Sequence, residues 1–183
     1  MLLIHADHFE YEVLERAIEE PEQVADYERR GMADNVLVSF CTVEKADEKS
    51  PENVARNAAG SIREVAEWVK TKRIIVYPYA HLSSSLASRD AAIPILGNIQ
   101  AELLRNGYET TKSPFGWYKS FMISCKGHPL SELSRTITSE EVRAKETRVE
   151  VEYAVLDMEG QIHDPKAYVF KPNESDFKML VEK

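Results

Sequence analysis

Two segments of this chain group aromatic, small and ionisable residues in a way that a plain strand or helix does not need. The first, Tyr77-Pro78-Tyr79-Ala80-His81-Leu82-Ser83, carries an imidazole. The second runs from Ser113 to Arg135 and carries Lys119, His128, Glu132 and Arg135. Lys119 stands between Tyr118 and the apolar run Phe121-Met122-Ile123. An ammonium there either snorkels to water or holds a carbonyl or a water, stabilising charge that develops in a transition state. His81 can orient a polar substrate or move a proton. Glu132 can accept hydrogen bonds from an ammonium group. Taken singly, these are commonly a solvated strand lysine, an idle loop histidine and a helix-surface glutamate. Their interest lies in convergence, which linear sequence does not display.

Other candidates are weaker. His5, Asp7 and His8 resemble part of a metal site, but no HExxH or paired CxxC accompanies them, so no metal is expected. His128, after Gly127, reads as a loop residue. Cys41 and Cys125 lie in apolar, strand-like runs and read as free, buried thiols. No GxGxxG, GxxxxGK[ST] or GxSxG motif is present, and Ser83-Ser84-Ser85 has no base spaced to activate it. Covalent nucleophilic catalysis and a bound cofactor are therefore not expected.

The 183 residues suit one ordinary domain with room for an appendage. A net charge of −8 argues against a broad grip on duplex phosphates. It leaves room for a short single-stranded end, where a few contacts suffice. No apolar stretch approaches the ~20 residues of a membrane span. The opening Met1-Leu2-Leu3-Ile4 lacks the pattern of a signal peptide, so a cytoplasmic location is expected.

The elements that must position the two segments follow from pattern. Leu2–Ala6 and Phe9–Leu14 read as two strands, and Glu15–Arg30 as an exposed connection with some helix. Asn35–Val43 is continuously apolar, as in a strand covered on both faces. Ser50-Pro51 signals a helix start, and Val54, Ala58, Ile62, Val65 and Val69 line one face toward Lys70. Ile74–Tyr77 is a short buried strand ending at Pro78, which puts Tyr79–Ser85 beyond a strand C-terminus, where α/β sheets favour ligands. A second helix spans Ala91–Arg105 and stops at Gly107. Strands follow at Tyr108–Thr111 and Lys119–Ser124 with a turn at Gly116, then a helical turn at Pro129–Ser134. Arg148–Leu156 alternates like a half-wet strand. Glu159-Gly160 would turn it toward a partner at Ala167–Phe170, and Asn173–Lys183 is a charged, weakly helical tail. The expected architecture is α/β: one domain of mixed β-sheet with packed helices over residues 1–145, plus a β-rich extension over 146–183.

At these residues the chain resembles a known family. Leu3-Ile4-His5, Val43-Glu44-Lys45, Tyr77 through Ser83, Pro114 through Lys119 and Cys125-Lys126-Gly127-His128-Pro129-Leu130 are similar to the N-terminal editing domain of archaeal threonyl-tRNA synthetase. The resemblance runs in order over residues 1–143. It implies a fold like that of D-aminoacyl-tRNA deacylases, a homodimer, and hydrolysis of serine wrongly esterified to the threonine tRNA. By matching position, His81, Tyr118, Lys119 and Glu132 would be the pocket side chains. Val43 and Ala80 would give backbone contacts to substrate, and Pro78 and Phe115 would line the site. Partners implied are the tRNA 3′ end and the remainder of the synthetase. Residues 146–183 would be the linker toward a catalytic part, and the chain a piece of a longer synthetase or a stand-alone fragment. A D-aminoacyl-tRNA deacylase of broad specificity, and a non-catalytic tRNA-binding or dimerisation module, are the alternatives.

Overall fold

In the computed structural model, which describes residues 1–139 together with 155–156, 161–164 and 168, the chain opens on one long strand, β1 (Leu2–Arg16). The two strands expected from sequence are therefore one. It pairs antiparallel with β2 (Arg30–Cys41), and their register is unbroken from Leu2↔Phe40 to Glu12↔Arg30. Yet the face changes midway. Leu2, Ile4 and Ala6, then Phe9, Tyr11 and Val13, all meet the same apolar cluster. Side chains alternate along a strand, so both strands must flip together across Asp7 and Asn35. Asn35 achieves this in the left-handed region, at φ 47°, which Asn tolerates better than most residues. An apparent gap in the hydrophobic period thus marks a kink.

After β2 come α1 (Pro51–Trp68), β3 (Arg73–Pro78), α2 (Arg89–Arg105) and β4 (Glu109–Lys112). Two βαβ crossovers place β2, β3 and β4 parallel. Ser50 precedes Pro51 as expected but makes no side-chain cap; its carbonyl accepts from the Val54 N–H at 3.1 Å. Next are β5 (Trp117–Cys125), antiparallel to β1, and β6 (Glu132–Ser134), which extends the same β1 edge through Ile4↔Glu132. The helical turn expected at Pro129–Ser134 is thus corrected to a bend followed by a strand: main-chain pairing with Leu2–Ile4 takes the donors a helix would use. The sheet order is β4-β3-β2-β1-β5, a mixed α/β sheet.

Two cores lie on its two faces. Val54, Ala58, Ile62 and Val65 of α1 and Ile95, Ile99 and Leu103 of α2 close over Leu3, Leu37, Ile74 and Val76. Each large aliphatic so buried contributes roughly 1.5–3 kcal/mol. On the opposite face, Phe9, Tyr11, Phe40 and Tyr77 pack on one another, with Phe121 of β5 within 5.9 Å of Phe9, Phe40 and Tyr77. β5 thus curls over the sheet until it meets β3, three strands away. Cys41 is buried and bonded to Ser39 Oγ at 3.2 Å, and burial raises its thiol pKa. Cys125 is exposed, because the end of β5 has no layer outside it; it was expected to be buried.

By contacts the chain divides into Met1–Arg143 and Ala144–Lys183. In the second unit β7 (Val155–Leu156) pairs with β8 (Ile162–His163). Val155–Leu156 thus finds its partner in Ile162–His163, while the partner strand read at Ala167–Phe170 lies, apart from Tyr168, outside the described residues. Residues 148–154 and 173–183 lie outside those described. No helix among the described residues is long and apolar enough to cross a membrane.

Candidate active site

The two chemistry-bearing segments meet at the C-terminal end of β3. Ser113 N–H donates to Val76 O at 3.0 Å, which brings Pro114–Trp117 alongside Tyr77–Tyr79. Gly116 turns that segment at φ 81°, and a Cβ there would stand 2.7 Å from Ile18 Cδ1. Both conformation and space require glycine at this position.

Lys119 follows on β5, paired with Val13, so it faces the aromatic core. Its ammonium donates to Pro114 O at 2.7 Å and Trp117 O at 3.3 Å, and lies 4.9 Å from the centre of the Tyr77 ring. An ammonium has three N–H donors. Two are held by backbone carbonyls and the ring face supports the charge, so one direction remains for a ligand. Burial, and then the nearby Lys112 ammonium, lower its pKa to about 8, while Glu22 acts in the opposite sense. The Lys119 ammonium thus releases its proton more readily than an ordinary lysine.

His81 lies in a short 3-10 turn, Ala80–Leu82, directly beyond β3. Its ring stands 5.0 Å from that of Tyr79, which in turn packs edge-on against Phe40 and tilted against Tyr77. Tyr79 anchors the turn: its N–H donates to Cys41 O at 2.8 Å, and its carbonyl accepts from the Thr42 hydroxyl. Val43 is thereby brought beside Ala80, on the helix-covered side. The Val43 carbonyl accepts from Ala87 N–H at 3.0 Å. Phe115 packs against the same helix-side cluster. A cavity of about 330 Å³ opens there, lined by Val43, Leu82, Ser83 and Arg135 among others. Lys119 and His81 do not line it; they flank the strand end from the other side.

Two of the expected side chains do not join them. Tyr118 is adjacent to Lys119 on β5 and so points to the opposite sheet face, where it is 57% exposed. Glu132 pairs with Ile4 whereas Lys119 pairs with Val13. Nine residues of strand separate those partners, roughly 30 Å of path. Glu132 instead accepts from Cys125 Sγ at 3.7 Å. Within one chain, Pro78, Ala80, His81, Val43, Phe115 and Lys119 gather around the end of β3, while Tyr118 and Glu132 lie elsewhere.

His5, Asp7 and His8 each have a different partner. His5, buried at the kink, bridges His128 Nε2 at 2.8 Å and Asn35 Oδ1 at 3.1 Å, and burial lowers its pKa. Asp7 holds Lys126, which lowers its pKa, and His8 meets Asp34 at 2.6 Å, which raises its own. No three His, Cys, Asp or Glu side chains among the described residues are placed to share a metal. His128, read as a loop residue, is thus a fixed partner of a core histidine. Sequence reasoning also missed Glu22, which sits in a stretch read only as exposed connection. Glu22 takes Lys112 Nζ at 2.6 Å and the Phe115 N–H at 3.0 Å. Its one signal is its position just after Pro21.

A mixed sheet covered by two helices, with a lysine and a histidine converging on a strand end, defines a small α/β domain with one polar site beside an aromatic core. Residues 1–137 match the family described as the archaea-specific editing domain of threonyl-tRNA synthetase, and the chain belongs to it. It is 48% identical over 180 residues to the threonine–tRNA ligase of Thermococcus gammatolerans, covering 97% of this chain and 29% of that protein. Against those of Thermococcus kodakarensis and Caldivirga maquilingensis it is 44% identical over 185 residues, covering 96% and 100% of this chain and 30% of each relative. The chain spans about three-tenths of the length of these relatives.

Proposed function

We propose that this domain hydrolyses the ester of L-serine mistakenly attached to the threonine tRNA, acting in trans or in cis for a threonyl-tRNA synthetase. Membership of an editing family makes proofreading of mischarged tRNA the function class. The observation that carries the finer reading is the Lys119 ammonium, held by two carbonyls and a ring with one donor direction left over. That donor would hold the ester carbonyl or the attacking water and stabilise the oxyanion as it forms, a contribution on the order of 10²–10³ in rate for one such donor. His81 would orient the aminoacyl end. Val43 and Ala80 would bound the amino acid through their backbones, and Pro78 and Phe115 would line the path of the terminal adenosine. No cofactor is required by this scheme.

A separate site is needed because serine lacks only a methyl that threonine carries. A pocket shaped for threonine rejects serine by only about 1–3 kcal/mol. A smaller site walled by backbone and by Ala80 can admit serine and exclude threonine. The acidic surface fits this role, since only the single-stranded 3′ end need enter and the rest of the synthetase would hold the RNA. We further read the fold as that of the D-aminoacyl-tRNA deacylases, the protein as a cytoplasmic homodimer, and residues 146–183 as the connection toward the synthetase's catalytic part.

The test is hydrolysis of seryl-, threonyl- and D-aminoacyl-tRNA by the pure protein and by Lys119→Met. Rapid cleavage of seryl-tRNA alone, lost in the variant, is the expected result. Preference for D-substrates would make the protein a general D-aminoacyl-tRNA deacylase. Hydrolysis unaffected by Lys119→Met would remove Lys119 from the chemistry.

A further inference from the structure

We propose that Glu22 is a positioning residue for Lys119: it clamps the Pro114–Trp117 turn and balances the Lys112 charge, so that the Lys119 ammonium is held in place and charged. The proposal rests on the reading of Lys119 as the cation that acts on the ester. Glu22 lies outside both chemistry-bearing segments, in the connection after β1.

Every polar group of Glu22 is directed at that turn or its base. Its carboxylate receives Lys112 Nζ at 2.6 and 2.8 Å and Phe115 N–H at 3.0 Å. Its N–H donates to Phe115 O at 3.1 Å, and its carbonyl accepts the Trp117 indole N–H at 2.8 Å. One residue upstream, Pro21 Cα would lie 3.0 Å from a Cβ on Gly116, and Ala17 N–H donates to Gly116 O at 3.0 Å. The turn so fixed contains Pro114, whose carbonyl is the nearest acceptor of Lys119. Glu22 and Lys112 form the one ion pair among the described residues in which both side chains are under a third exposed, at 26% and 11%. Exposed pairs contribute little, whereas breaking one so enclosed leaves a charge with poor solvation.

The electrostatics follow. The groups around Lys119 are Glu22, Lys112 on β4, Tyr77 and Tyr79 with His81 beyond it, Tyr11 on β1 with Glu28 behind it, and Arg29 over Trp117 at 5.6 Å. Tyr11 is pushed up to about 12 by burial and Tyr77 higher still, so both stay neutral through the range in question. That leaves Lys112 and Glu22 as the named charges acting on Lys119, with opposite signs. Removing the carboxylate leaves Lys112 uncompensated, and Lys119 must release its proton at lower pH. Removing Lys112 does the reverse.

The experiment follows the Lys119 side chain by NMR of protein labelled at lysine Cε, with the resonance assigned by its loss in Lys119→Met, beside the pH dependence of seryl-tRNA hydrolysis. Glu22→Gln should lower the Lys119 midpoint by at least ~0.5 pH unit and shift the alkaline fall in kcat equally. Lys112→Met should raise the midpoint, and the double variant should return it toward that of the parent protein. Glu22→Asp should keep the midpoint but lower kcat, since the shorter side chain retains charge and loses reach. Midpoints unmoved by Glu22→Gln and by Lys112→Met would overturn the proposal. If Glu22→Gln fails to fold, Lys112→Met decides by the direction of its midpoint. If Lys119→Met proves fully active, the deacylase role of Lys119 fails, while the midpoints still decide the clamp.

Discussion

Lys119 carries the sharpest consequences at the level of single residues. In the proposed reaction its ammonium is the acting form, so the protein-dependent rate should fall as pH rises through about 8, the value to which burial and Lys112 lower it. Subtracting the uncatalysed hydrolysis, which climbs with pH, from rates measured between pH 6 and 9.5 would show this limb. A midpoint near the ordinary lysine value of ~10.4 would contradict it. The same group weakens the fold. A lysine whose pKa is lowered on folding binds its proton better when unfolded, so it opposes folding fully below pH 8, and that opposition is relieved as pH climbs toward its unfolded value. While charged it favours the unfolded state by roughly 3 kcal/mol before solvent screening. Lys119→Met removes this penalty but strands the carbonyls of Pro114 and Trp117, at about 1–3 kcal/mol each. The two effects largely offset, so the variant should lose hydrolysis by 10²-fold or more while its stability in urea stays within about 3 kcal/mol of the parent. A larger loss of stability would mean that Lys119 is structural.

Among the elements, the kink at Asp7 and Asn35 decides which side chains face the aromatic core, and pattern alone did not reveal it. The alternation of Phe9, Tyr11 and Val13 was visible, as was that of Leu2 and Ile4, but the change of parity between them reads in sequence as a break between strands. The break is absorbed by a left-handed residue in the partner strand, Asn35, far from Asp7 in the chain. The helices were plain because their apolar spacing is local: α1 and α2 start and stop within two residues of where the spacing put them. β6 was misread because Pro129 and Ser131 resemble a helix start, while the hydrogen bonds that make it a strand come from Leu2–Ile4. In the candidate site, Tyr77–Ser83 and Pro114–Lys119 could be picked out by residue type. Glu22 could not, since a glutamate in a polar connection shows nothing of what lies opposite. The kink yields its own prediction. Asn35→Gly keeps the backbone conformation and loses only the bond to His5, which should cost about 1 kcal/mol. Asn35→Val loses both and should cost about 2–3 kcal/mol in chemical denaturation. Equal losses would mean that the left-handed backbone matters little.

At the scale of the whole molecule, the separation of Lys119 from Tyr118 and Glu132 sets a condition on any shared chemistry. Tyr118 leaves β5 on the face opposite to Lys119, and Glu132 lies far along β1. Neither can reach the Lys119 ammonium of its own chain without breaking the β1 pairings. If all act on one ester in the proposed homodimer, Lys119 and His81 come from one copy and Glu132 from the other. A two-fold arrangement then builds two such mixed sites. Glu132→Gln and Lys119→Met homodimers should each be inactive. After co-refolding of equal amounts, half the dimers are heterodimers. In each, one site combines both substitutions and the other neither. The mixture should therefore recover about a quarter of the parent activity. Recovery near zero from two inactive homodimers would refute the mixed site, and full activity of the Glu132→Gln homodimer by itself would exclude Glu132 from the chemistry, as its distance from the end of β3 in its own chain would then require.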